Sequence, residues 1–151
     1  MNIISDNSAT PARRVLFLCV ANSARSQMAE GLARAKYPNG LFQSAGSVPS
    51  SVNPWAFKVM TEMGIDLSSH FSKGVDDIVE GSFDVVATLC AEESCPASML
   101  AKPRWDWSIP DPASELPLSE EAMLQRFRDA RDLIARLVDD MPVPRALELG
   151  E

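Results

Sequence analysis

Apolar residues follow two alternating periods along the chain. Residues 14–20, Arg-Val-Leu-Phe-Leu-Cys-Val, form a nearly unbroken apolar run, the pattern of a strand buried on both faces. Over 26–36 the spacing turns helical, with Met28, Leu32 and Ala35 on one face and Tyr37-Pro38-Asn39-Gly40 as a stop. A short strand is predicted over 41–45. The next helix is punctuated at both ends, by Asn53 as N-cap, Pro54 at the first helical position and Gly64 past the end. Its apolar face is Ala56, Val59, Met60 and Met63. Gly81-Ser82 introduces a third strand over 83–89, and 103–107 reads as a fourth. The last helix starts at Ser119, with Glu120 and Glu121 in the first turn, where acid suits the dipole. It turns Leu124, Phe127, Ile134, Leu137, Val138 and Met141 inward and stops at Pro142.

Strands alternating with helices predict an α/β fold: a four-stranded parallel sheet with helices on both faces. In such sheets ligands sit beyond the carboxyl ends of the strands. All three cysteines and Asp111 fall at or just after predicted strand ends. A chain of 151 residues is the size of one domain. The reading is a tail over 1–13, a single domain over 14–141 and a second tail over 142–151.

Charge and cysteine content narrow the function. A net charge of −7 argues against a nucleic-acid or anionic-membrane surface, both of which need a basic face. A small anion remains admissible, because a few oriented amides and one arginine make a positive pocket on an acidic protein. No apolar run is long enough to span a bilayer. The first fourteen residues carry Asp6 and a polar stretch ahead of the arginines, the reverse of a signal peptide. The expectation is a cytoplasmic monomer whose three cysteines serve chemistry or burial, not a disulfide framework.

The informative segment is Cys19-Val20-Ala21-Asn22-Ser23-Ala24-Arg25-Ser26, between a buried strand and a helix start. An arc of this length can wrap a tetrahedral oxyanion with its N–H groups pointing inward and the helix dipole behind them. All seven residues from Val20 to Ser26 are candidates for binding it. Asn22 suits a positive-φ position, and Arg25 closes the ring with a planar fork that holds two oxygens. The same field favours the thiolate of Cys19, and the Ser26 hydroxyl could donate to it. The alternative for Cys19 is a buried structural cysteine. Cys90 and Cys95 read either as a redox pair or as inert residues. Zinc is not expected, because beyond the cysteines the chain offers only His70 as a further soft ligand. Asp111 is either a functional carboxylate beyond a strand or a turn residue between Pro110 and Pro112. His70 reads as a structural hydrogen-bonder, and Trp105 and Trp107 as core and wall.

The run Cys-Val-Ala-Asn-Ser-Ala-Arg-Ser-Gln-Met-Ala-Glu-Gly over 19–31 resembles the anion loop and first helix of low-molecular-weight tyrosine phosphatases and their arsenate reductase relatives. Ser44-Ala45-Gly46, Asn53-Pro54, Gly64-Ile65-Asp66-Leu67, Ser69-His70, Thr88-Leu89-Cys90, Cys95-Pro96 and Asp111-Pro112 extend the resemblance, in order, over about 15–127. It implies the phosphatase-like fold with flavodoxin-like winding. Gln27-Met28-Ala29-Glu30, the pair Cys90 and Cys95, and Ala113 where the phosphatases usually place an aromatic all favour the thioredoxin-coupled reductase branch.

What that branch implies is a relay. Cys19 attacks the arsenic of arsenate, Asp111 protonates the departing oxygen, Cys90 attacks Cys19, and Cys95 attacks Cys90. No tightly bound cofactor is implied. The recycling reductant is an external thiol, thioredoxin by resemblance, with glutaredoxin or another thiol left open. Four residues separate Cys90 from Cys95, fewer than is usual in the family, so 91–94 would have to rearrange. Asn22, Glu30 and Ser44 match positions that help hold potassium in some of these reductases. The acidic partner expected after Ser69-His70 is replaced by Lys73, so no potassium dependence and no metal are expected. The second reading is a phosphatase hydrolysing phosphate monoesters through a Cys19 phosphocysteine. A third is a non-enzymatic oxyanion or redox sensor.

Overall fold

A computed structural model describes residues 13–79, 81–90, 103–114 and 116–144. Four strands, β1 (Arg14–Cys19), β2 (Leu41–Gly46), β3 (Val85–Cys90) and β4 (Arg104–Ile109), make one sheet in the order β2-β1-β3-β4. Every pairing is parallel, so all four carboxyl ends lie along one edge. The α-helices are α1 (Arg25–Lys36), α2 (Pro54–Thr61) and α3 (Glu120–Asp139).

Period-two alternation in β1 explains the layering. Val15 and Phe17 enter a core with Met28, Leu32, Met60, Phe127 and Ile134, which packs the three α-helices on one face. Leu16 and Leu18 enter a second core with Phe83 and Val86, covered by Val75 and Ile78 around the 3-10 helix Val75–Asp77. Both faces of the sheet therefore carry helical structure. Burial of each such large side chain is worth about 1.5–3 kcal/mol, which is why β1 reads as a continuous apolar run.

The helices form where the sequence predicts them, with local departures. Asn53 caps α2 by accepting from Trp55 N–H at 2.8 Å, and Ser119 caps α3 by accepting from Ala122 N–H at 3.1 Å. Met63 and Ala35, both expected inward, are exposed. Met63 lies past the end of α2, where helical spacing no longer applies, and Ala35 sits in an exposed last turn of α1. β4 runs to Ile109, beyond the predicted strand, by way of a register irregularity. Thr88 pairs with Asp106 but Cys90 with Ile109, so β4 carries one extra residue there. Within that bulge Ser108 adopts φ 43°. Bulges of this kind bend a strand and recur beside functional sites. This one carries the chain toward the carboxyl edge.

Candidate active site

β1 and β3 are neighbours although β2 lies between them in sequence, so the winding reverses between them. Crevices open at such reversals. Cys19 ends β1 here, and the arc 20–24 leads into α1. The carbonyls of that arc point into the protein, where each has a donor. Val20 O accepts from Val48 N–H at 2.8 Å, and Ala21 O from Ser50 N–H at 3.1 Å and the Ser72 hydroxyl at 2.8 Å. Asn22 O accepts from Gln27 Nε2 at 3.1 Å, and Ser23 O from Asn53 N–H at 2.9 Å. In a trans peptide the N–H points opposite to the C=O. The N–H groups of Ala21, Ser23 and Ala24, residues that line the concave side, are thereby directed away from these partners. That is the arrangement of an anion cradle.

Asn22 has φ 48°, as its residue type suggests. Gly46, paired with Cys19 across the sheet, lets β2 approach the arc. A Cβ there would stand 2.6 Å from Asn22 N and overlap Val20 O.

The concavity, about 320 Å³, is lined by Cys19, Val20, Ala21, Ser23, Ala24, Arg25, Asn53, Asp111 and Ala113. Asn22 and Ser26, also read as oxyanion-binding from sequence, are not on its surface. Both are fully buried behind the arc. Ser26 Oγ lies 2.8 Å from Cys19 Sγ, and Asn22 Nδ2 donates to that Oγ at 2.8 Å. Since the serine oxygen already accepts from Asn22, its own hydrogen is free for the sulfur.

The direction of this chain is fixed further back. One end of the Gln27 side chain is within 3.1 Å of Asn22 O, Asn22 Oδ1 and Phe71 O, so that end is the NH2 group. Its Oε1 must then accept from His70 Nδ1, at 2.9 Å. Donors run from His70 through Gln27, Asn22 and Ser26 to Cys19, each aimed at the sulfur. Ser26 is the member of this network that reaches the sulfur.

Arg25 is buried, with 4% of its surface exposed. Its Nη1 donates to Ile109 O at 3.0 Å, and Nη2 lies 3.9 Å from Asp111 Oδ2. The bulged end of β4 thus meets the start of α1. Asp111 also accepts from Ala113 N–H at 3.0 Å and keeps half of its side chain exposed, at the cavity wall. It is both a turn residue and a cavity residue.

Behind the arc, buried Glu30 is held by Ser44 Oγ at 2.5 Å, Arg34 Nη2 at 2.6 Å and Lys73 Nζ at 3.9 Å. Burial pushes the Lys73 ammonium below its ordinary value, with Glu30 opposing. His70 is likewise lowered, chiefly by burial, with Arg34 and Lys73 adding and Glu30 and Asp66 opposing. No cluster of three or more His, Cys, Asp or Glu residues suited to a metal occurs among the described residues.

Cys90 is the last residue of β3, the strand paired with β1. Cys95 lies outside the described residues. Asn53, Gln27 and Gly46 are the site residues that the sequence reading did not assign to it. Asn53 shows there as a helix cap and as part of a family motif, and Gln27 and Gly46 only as parts of such motifs.

The family model for low molecular weight phosphotyrosine protein phosphatases matches residues 14–142. The chain is 42% identical over 121 residues to an arsenate reductase of Halalkalibacterium halodurans, covering 76% of this chain and 86% of that protein. An arsenate reductase of Bacillus subtilis is 40% identical over 121 residues, with the same coverage of 76% and 86%. A solved arsenate reductase in its phosphate-binding state superposes with a TM-score of 0.73 at 31% identity, over 85% of this chain and 95% of that one. The chain belongs to the low molecular weight phosphotyrosine protein phosphatase family, on its arsenate reductase branch.

Proposed function

We propose that the chain reduces arsenate to arsenite through a three-cysteine relay recycled by thioredoxin in the cytoplasm. The observation that carries this reading is the Cys19 sulfur at the floor of an amide-lined cavity, with donors aimed at it and arginine and carboxylate at the wall.

The cradle and Arg25 hold the tetrahedral anion while the Cys19 thiolate attacks arsenic. Asp111 gives a proton to the departing oxygen, which leaves as water. The Cys90 thiolate then attacks Cys19 sulfur. The S–As electron pair passes to arsenic, arsenite departs, and a Cys19–Cys90 disulfide remains. Pairing of β1 with β3 supports this step, since Leu18 lies opposite Thr88 and both cysteines follow within two residues. The Cys95 thiolate attacks Cys90, releasing Cys19 as thiolate, and the external dithiol supplies two electrons to the Cys90–Cys95 disulfide.

Phosphate monoester hydrolysis needs only Cys19, Arg25 and Asp111, and these do line one cavity. Ala113 also lines it and is too small to wall an aromatic ring, which favours the smaller substrate.

The test is arsenate turnover with thioredoxin, its reductase and NADPH, beside hydrolysis of an aryl phosphate. Cys90→Ser should abolish arsenate turnover while leaving ester hydrolysis intact. Normal arsenate turnover by Cys90→Ser, or ester hydrolysis as the only activity of the unaltered protein, overturns the reading. Cys95→Ser should stop one step short of the Cys90–Cys95 disulfide, trapped as the Cys19–Cys90 disulfide. Normal turnover in that variant would mean an external thiol reduces that bond directly.

A further inference from the structure

We infer that Arg126, on the outward side of α3, is the positioning residue for Asp111. The segment after β4 cannot hold itself by ordinary backbone pairing. Pro110 and Pro112 have no N–H to give, and the Asp111 carboxylate takes the N–H of Ala113 at 3.0 Å. Among the described residues no backbone N–H donates to the carbonyls of Asp111, Pro112 or Ala113. All three face a single guanidinium. Arg126 Nε donates to Pro112 O at 2.7 Å, and Nη2 to Ala113 O at 3.0 Å and, at a longer 3.4 Å, to Asp111 O. Packing does not replace these bonds, because a cavity of about 230 Å³ separates the turn from α3, between Pro110, Asp111, Arg126, Asp129 and Leu133.

The turn is therefore held between two arginines with separate tasks. Arg25 grips its inner side through Ile109 O and the Asp111 carboxylate, and it also faces the anion cavity. Arg126 grips the outer side through main-chain carbonyls alone and does not line the anion cavity. A planar fork on a 20-residue helix fixes the turn to the rigid body of the domain, which a point charge on a flexible stem would not do. Loss of the fork frees the carboxylate and leaves the anion cradle as it was.

This inference rests on Asp111 being the proton donor proposed above, and one experiment separates the two. Arsenate turnover and phosphate affinity are measured for Arg126→Leu, Arg126→Lys, Asp111→Asn and the Arg126→Leu/Asp111→Asn double variant. In Arg126→Leu, kcat should fall by about tenfold or more, part of the 10²–10⁴ that a positioned general acid supplies. Phosphate affinity should stay within about twofold, since the cradle and Arg25 are untouched. Arg126→Lys should recover little, and added guanidinium should restore part of the Arg126→Leu loss. The double variant should be no slower than Asp111→Asn alone, as expected for residues acting in one unit. If Asp111→Asn is slow but Arg126→Leu turns over normally, the positioning role falls and the proton donor stands. Losses that multiply in the double variant, or phosphate affinity falling in step with kcat, overturn it too. Normal turnover by Asp111→Asn overturns both readings.

Discussion

Replacing Gly46 by alanine tests how far the cradle depends on its neighbouring strand. The new Cβ would stand 2.6 Å from Asn22 N and overlap Val20 O, both main-chain atoms of the arc. Ordinary contact begins near 3.4 Å and Val20 O is the nearest atom, so arc or strand must retreat by about 1 Å. No side-chain rotation relieves the clash. A misplacement near 1 Å can cost about 100-fold in turnover, or about 2.7 kcal/mol of transition-state stabilisation. Overpacking of this kind also costs about 1–3 kcal/mol of stability, so activity alone would be ambiguous.

Gly31→Ala provides the control. Its Cβ would meet Leu67 Cδ2 and Met60 Cε at 3.1 Å, the far ends of flexible side chains remote from the anion. Thermal unfolding, phosphate calorimetry and steady-state kinetics on both variants separate the effects. Gly46→Ala should lose phosphate affinity and turnover, whereas Gly31→Ala should keep both, any change being in stability alone. Wild-type phosphate affinity in Gly46→Ala would refute the claim that β2 packs the cradle into shape.

Three further outcomes follow from the site. Arg25→Lys keeps the charge and loses the fork, so kcat/KM should drop by at least about tenfold, or about 1.4 kcal/mol; wild-type efficiency would mean that Arg25 does not grip the oxyanion. Asn53→Asp keeps a good N-cap on α2 while setting a negative charge at the cavity wall, so phosphate affinity should fall by about tenfold with the melting temperature held or raised; equal affinity would confine Asn53 to capping. Because the folded His70 value lies below its ordinary 6.5, the unfolded chain takes the proton first, and stability should decline as pH falls from about 6.5. In His70→Gln, which keeps a donor for Gln27, that part of the unfolding-versus-pH curve should flatten; an unchanged curve would place the titration elsewhere.

What the sequence made legible was local. The segment 19–26 declares itself because a buried strand, a short arc and a helix start are contiguous, and Asn22 has the residue type its φ requires. The caps Asn53 and Ser119 are legible for the same reason. What stayed hidden depends on partners distant in the chain. Gln27 and Glu30 are polar members of α1, named from the sequence only through the resemblance, yet both are buried. The reasons are His70 and Lys73, each 43 residues further on, which no periodicity relates to α1. Gly46 carries no signal of its own, since the need for a missing side chain appears only when the arc lies against it. The bulge at Ser108 was hidden too, because a serine gives no warning of a positive φ.

The inward-turned carbonyls of the arc bear on selectivity as well as on binding. With those oxygens already committed to Val48, Ser50, Gln27, Ser72 and Asn53, the amide ring keeps its shape before any anion arrives. A ring of main-chain amides senses negative charge and tetrahedral form, not the element at the centre. Phosphate and arsenate should therefore compete for it on nearly equal terms. Discrimination is left to the fate of the bond to sulfur: a thiol can draw arsenic off as a reduced product, whereas phosphorus only returns to water.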